Sequence, residues 1–115
     1  MHEYSITQQI IKIAEEAARE NKAKKITKIS LVVGELSGFI GDSITMYFEI
    51  IARGTLAEAA QLEIKHVKTQ FWCENCQEHY LRARFSFDCP KCGQQGVPTE
   101  IGKEFYIDGI EIATD

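Results

Sequence analysis

All four cysteines of the chain lie in two Cys-x-x-Cys pairs, Cys73-Glu74-Asn75-Cys76 and Cys89-Pro90-Lys91-Cys92, with twelve residues between the pairs. Two residues between thiols let the backbone close a tight knuckle that aims both sulfurs at one ion. Gly93, directly after the second pair, suits the positive-φ turn such a knuckle needs, and Pro90 stiffens it. Two knuckles supply four thiolates, the closed tetrahedral set of a structural zinc site with no position left for substrate. Rubredoxin-like iron is the second metal that accepts this set. Two disulfides, or four free thiols, are the readings without metal. The N-terminus lacks a basic-then-apolar leader, so a cytoplasmic location is expected and disulfides are disfavoured. Ribbons of this kind serve many proteins, so the module does not by itself name a function.

With 115 residues there is room for one domain, or for a small one plus a metal-stapled module. The formal charge of −4 argues against a surface for nucleic acid or anionic membrane, and no apolar run approaches a membrane span. Neither internal repeats nor low-complexity tracts are present.

Helical periodicity over 4–21 places Ile6, Ile10, Ile13, Ala14 and Ala17 on one face, with either Ser5 and Gln8 as a capping box or a start one or two residues earlier, and a frayed end at Asn21-Lys22. Residues 26–33 switch to period two, with Ile29, Leu31 and Val33 alternating with Lys28, Ser30 and Val32. A loop with three glycines follows, Gly34 to Gly41; it lacks the Gly-Lys-Ser/Thr ending of a phosphate loop. Asp42 or Ser43 should cap a second helix over 43–53, with Ile44, Tyr47, Phe48 and Ile51 inward and Gly54 as its stop. A second strand is expected over 61–68, with His66 on its apolar line as a packed or edge histidine. After Pro98 the strand pattern resumes at Phe105 and Ile107, then Ile110 and Ile112, with Gly109 shifting the phase as a β-bulge does.

That last strand is orphaned unless it joins the sheet begun before residue 68. The expected fold is therefore α/β: a small sheet of about three strands with two helices on one face, plus an inserted zinc-ribbon module. The α/β domain is split, residues 1–68 and 103–115, and the ribbon spans 69–102.

Between Thr69 and Val97 the acids Glu74, Glu78 and Asp88 balance the bases Arg82, Arg84 and Lys91, which leaves no basic footprint for phosphates. Phe71, Trp72, Tyr80, Phe85 and Phe87 are then the small core of the module and a protein-contact face. His79 is read as a solvated surface histidine in preference to a hydrogen-bond donor to a zinc-bound sulfur.

A second metal site is suggested by Met1-His2-Glu3. A large residue at position 2 protects Met1 from removal, so its amine stays next to the His2 amide nitrogen and imidazole. These groups close adjacent five- and six-membered chelate rings, and the Glu3 amide or carboxylate offers a fourth donor. Nitrogen-rich, near-planar sets suit Ni(II) or Cu(II). The positive end of a helix opposes a cation there, and deprotonated amides with the Glu3 carboxylate restore the balance. On chemistry alone, an ordinary terminal histidine at the start of a helix explains the same residues.

Met1-His2-Glu3-Tyr4-Ser5 opening a helix, the Val33-Gly34-Glu35-Leu36-Ser37 loop and the paired cysteine knuckles together resemble the HypA/HybF family, over essentially the whole chain and in the same order. The resemblance implies a nickel metallochaperone of hydrogenase maturation, not an enzyme and without catalytic residues. It implies nickel at His2 with Met1 and Glu3 assisting, structural zinc at Cys73, Cys76, Cys89 and Cys92, and transient Ni(II) as cargo. The implied partners are a HypB-type GTPase and the [NiFe]-hydrogenase large subunit; no nucleic acid and no membrane insertion are expected. Asp42 is an auxiliary ligand candidate. Some members carry a histidine directly after the fourth cysteine; Gly93 stands there in this chain, so that residue's role is not carried over. The alternative reading is a zinc-ribbon adaptor that binds protein or nucleic acid without transferable metal.

Overall fold

The computed structural model describes the backbone of residues 2–82 and 86–115, with side chains from Glu3 onward. Two three-stranded sheets follow one another along a body of 56 × 27 × 16 Å. The radius of gyration of 18.1 Å exceeds the roughly 13 Å of a single compact domain of this length, so the two sheets lie end to end.

The first sheet is built around β1 (Lys25–Gly34). Helix α1 (His2–Glu20) precedes β1, and helix α2 (Gly41–Ile51) carries the chain over to β2 (Gln61–Val67), which pairs parallel to β1. The ribbon strands β3 (Gln70–Cys73), β4 (Glu78–Leu81) and β5 (Val97–Pro98) come next. The last strand, β6 (Phe105–Ala113), returns antiparallel on the other side of β1, giving the order β2-β1-β6. Between the pairs Ser30–Gly109 and Leu31–Ile107 the register slips around Asp108, which is the bulge expected at Gly109. A second slip lies beside Thr27, between Ile26 and Lys28.

One face of this sheet packs on both helices. Ile26, Ile29, Leu31 and Val33 of β1 are buried with Ile10, Ile11, Ala14 and Ala18 of α1 and Ile44 and Phe48 of α2. The opposite face is polar: Lys28 forms ion pairs with Glu63 of β2 at 3.2 Å and Glu111 of β6 at 3.7 Å.

Several sequence expectations are corrected here. Helix α1 starts at His2, so Ser5 lies inside it and the Ser5/Gln8 capping box does not form. Its buried stripe is Thr7, Ile10, Ile11, Ala14 and Ala18, rotated by roughly 70° from the expected one at 100° per residue. Ile13 is consequently 53% exposed. The end of α1 is closed, not frayed: Lys22 takes φ 57, the Ala23 amide donates to Ala18 O and the Lys22 amide to Arg19 O. That is a Schellman motif with lysine where glycine is usual. The N-cap of α2 is Ile40, with no side-chain cap from Asp42 or Ser43. Tyr47 and Ile51 are half-buried, whereas Ala52 is buried.

Candidate metal centre

Strands β3, β4 and β5 form a β4-β3-β5 sheet, and two loops bring the cysteines together. Each loop closes in the same way. The Gln77 amide donates to Cys73 O, and the Gly93 amide to Cys89 O, both at 2.8 Å. The residue after each second cysteine is left-handed, Gln77 at φ 55 and Gly93 at φ 77. Gly93 was anticipated from its lack of a Cβ; Gln77 was not, because glutamine gives no such signal. Its side chain offsets part of the strain by donating to Glu74 O at 2.7 Å and to the Glu74 carboxylate at 3.1 Å.

The four Sγ atoms lie within 4.8 Å of one another, with Cys73–Cys92 at 3.5 Å and Cys76–Cys89 at 3.9 Å. These separations are far beyond a disulfide bond of about 2.05 Å. They bracket the edge, about 3.8 Å, of a tetrahedron with Zn–S bonds of about 2.3 Å. Cys73 and Cys89 are buried; Cys76 and Cys92 are half-buried.

Crowding four thiols has an electrostatic consequence. The Cys92 thiol is held down to about 6, first by the Gln94 amide and then by the Asn75 side chain. The Cys76 thiol is pushed up to about 12, first by its contact with the Cys92 thiol and then by burial. Without a cation, then, one sulfur ionises readily and its neighbour resists. A dication removes that conflict and favours deprotonation of the whole set. The neighbouring Lys91 ammonium, paired to Glu78, is stabilised in its charged form by that carboxylate and then by Cys76 and Cys89. The donor set and spacing thus fit a structural zinc ion, and the cluster closes on itself.

Phe71 and Tyr80 form the small apolar core of the module beside the cysteines. Phe71 stacks on Tyr80 at 5.9 Å and packs against Phe87 at 5.6 Å. The Tyr80 hydroxyl donates to Phe87 O and accepts from the Gly96 amide, which ties the far side of the ribbon to β4. His79 is exposed and meets the edge of Trp72 at 5.0 Å, its cross-strand partner on the face away from the sulfurs. Phe85 and Arg84 lie outside the described residues.

At the other end of the chain, Met1 and the His2 side chain also lie outside the described residues. Glu3 is half-buried in the first turn of α1, and its carboxylate accepts from the Ile40 amide at 3.3 Å. Its carbonyl accepts from the Thr7 hydroxyl, the one buried polar side chain among the described residues. Tyr4 meets Tyr47 of α2 edge-on at 5.4 Å. The start of α1 is therefore docked against the start of α2. Asp42 is exposed in the first turn of α2. His66 is exposed on the edge strand, its ring over Gly41, where a Cβ would come within 2.6 Å of the imidazole.

Comparison with known proteins agrees with this arrangement. Residues 1–112 match the family model described as hydrogenase/urease nickel incorporation, metallochaperone, hypA. The chain is 45% identical over 113 residues to the hydrogenase maturation factor HypA of Caldanaerobacter subterraneus subsp. tengcongensis, covering 97% of this chain and 99% of that one. It is 32% identical to the HypA of Aquifex aeolicus over the full length of both. Among solved structures, the solution structure of the Ni metallochaperone HypA from Helicobacter pylori superposes with a TM-score of 0.65 at 26% identity, covering 98% of each chain. A second solution structure of a HypA protein gives 0.70 at 26% identity over all of this chain and 98% of that one. A mixed α/β unit with a four-cysteine cluster, matched from end to end at these identities, leaves one conclusion: the chain belongs to the HypA family of nickel-incorporation metallochaperones.

Proposed function

We propose that this chain binds Ni(II) at its N-terminus and delivers it to the [NiFe]-hydrogenase large subunit, with a HypB-type GTPase as partner and a structural zinc in the ribbon. The observation that carries the reading is the start of α1 at His2. The first amides of a helix have no intrahelical acceptor, so the His2 and Glu3 nitrogens are free to serve as donors. Met1 would add its amine and His2 its imidazole. Glu3 would contribute its amide, since its carboxylate is engaged by Ile40. The division of labour follows the chain: residues 1–68 and 103–115 form the nickel-binding unit and 69–102 the zinc ribbon. Terminal nitrogens at a surface exchange readily, whereas Cys73, Cys76, Cys89 and Cys92 enclose their ion. Transfer of an ion between ligand sets requires no catalytic residue, and the reading is of a cytoplasmic carrier rather than an enzyme or a nucleic-acid binder.

Calorimetric titration with Ni(II) of the native chain, a chain extended by one residue before Met1, and His2→Ala tests the site, with zinc content measured in each. Nickel binding should disappear in both variants while zinc stays. It should also weaken as pH falls below about 6.5, where protons compete for the imidazole. Equal affinity in all three chains would sink the site.

A further inference from the structure

The Gly34 to Ile40 loop supplies no donor to either metal site, yet it joins the segments flanking the ribbon to the start of α1. At its start it meets the two segments that lead into and out of the ribbon. The Glu35 amide donates to Val67 O at 2.8 Å, and the Glu35 carboxylate accepts from the Thr69 amide at 3.0 Å. The Leu36 amide donates to Gly102 O, and the Gly34 amide to Glu104 O, both at 2.6 Å. The packing is close enough that a Cβ on Gly34 would lie 2.2 Å from Gly102 O.

The middle of the loop is bonded to itself and to the sheet. The Ser37 amide donates to Gly34 O at 3.0 Å, the Phe39 amide to the Ser37 hydroxyl at 3.2 Å, and the Phe39 ring packs on Phe105 at 4.4 Å. At its end, the Ile40 amide donates to the Glu3 carboxylate. The amides of Gly34, Glu35, Leu36, Ser37, Phe39 and Ile40 are thus all committed, and a segment bonded this densely transmits displacement instead of absorbing it.

We propose that Glu35 is a positioning residue for the N-terminal nickel site: by clamping Thr69 it fixes the loop whose far end, the Ile40 amide, holds Glu3 and with it the nickel-binding terminus. The nickel half of this inference rests on the function proposed above; the mechanical half does not. The Glu35 carboxyl is held below the usual carboxylate range, first by the Thr69 side chain and then by the Thr69 amide, with Lys68 and Arg82 assisting, so it is charged at neutral pH. The hydrogen bond that meets distance and angle is the one from the Thr69 amide, at 3.0 Å, and that bond is the clamp. A charged acceptor makes this one of the stronger contacts of its class.

The experiment compares the native zinc-loaded chain with Glu35→Ala, Glu35→Gln and Glu35→Asp. Amide exchange at Thr69 and Ile40 is read by NMR, then Ni(II) affinity and the Ni(II) d–d spectrum by titration. Glu35→Ala should accelerate exchange at both amides and weaken nickel binding, each roughly tenfold, the scale of one charge-assisted hydrogen bond. Glu35→Gln, which keeps an acceptor oxygen, should recover most of both effects, and Glu35→Asp, too short to reach, should not. Faster exchange at Thr69 with Ile40 and the nickel spectrum unchanged would overturn the proposal. If the native chain bound no nickel, the nickel site would fail, and the Ile40 amide would still decide whether the brace exists.

Discussion

The two halves of the molecule are held together by different physics. The α/β unit buries aliphatic side chains from both helices and the central strand, among them Ile26, Ile29, Leu31 and Ile44, each almost wholly removed from water. At about 1.5–3 kcal/mol per fully buried side chain, such a core is self-sufficient. Among the described residues the ribbon buries only Phe71, Tyr80, Cys73 and Cys89, and half of those belong to the cysteine cluster. A module that small is expected to depend on an ion held by its four cysteines, since structural zinc contributes on the order of 10–16 kcal/mol to zinc-finger peptides. One half is held by aliphatic packing, and the other has the donor set for a metal but little apolar core.

Metal removal should break this comparison most visibly. Chelation at neutral pH, or Cys73→Ala, should collapse amide protection from Phe71 to Tyr80 while leaving that of α1, β1 and α2 in place. Native mass spectrometry of the untreated chain should show one tightly held zinc. A single transition in which both halves unfold on chelation would refute the independence of the two cores.

Leu31→Ala probes the other half. Leu31 is 1% exposed in the central strand, so its truncation should cost about 2–5 kcal/mol of α/β stability with zinc content unchanged. Loss of zinc in parallel with loss of helix would show that the ribbon leans on the sheet.

Legibility in the sequence differed between the halves for the same reason. The cysteine spacing is a chemical code, and it gave the cluster directly, whereas side-chain packing leaves a weaker trace. The stripe of α1 was misplaced because Thr7, fully buried with its hydroxyl spent on Glu3 O, reads as polar, and Ile13, exposed, reads as core. The caps are misassigned because the expected capping side chains are not used; Ile40 caps α2 through backbone geometry alone. The bulge at Gly109 was legible because the apolar period itself slips there. The Glu35–Thr69 and Glu3–Ile40 contacts were not, since they join residues far apart in sequence and obey no local period.

The smallest test concerns two residues in equivalent strain, one in each half. Lys22 at φ 57 closes α1, and Gln77 at φ 55 closes the first knuckle. Left-handed backbone costs a side-chain-bearing residue roughly 1–2 kcal/mol, and glycine returns part of any gain through unfolded-state entropy. Lys22→Gly should therefore raise α/β stability by up to about 1 kcal/mol, measured by denaturant unfolding, and leave zinc retention alone. Gln77→Gly relieves the same strain and forfeits two bonds to Glu74. Its net effect should be smaller and should appear in competition with a zinc chelator, not in α/β unfolding. If Gln77→Gly moved the α/β midpoint as far as Lys22→Gly does, strain in the ribbon would be felt by the sheet, and the halves would share one cooperative unit.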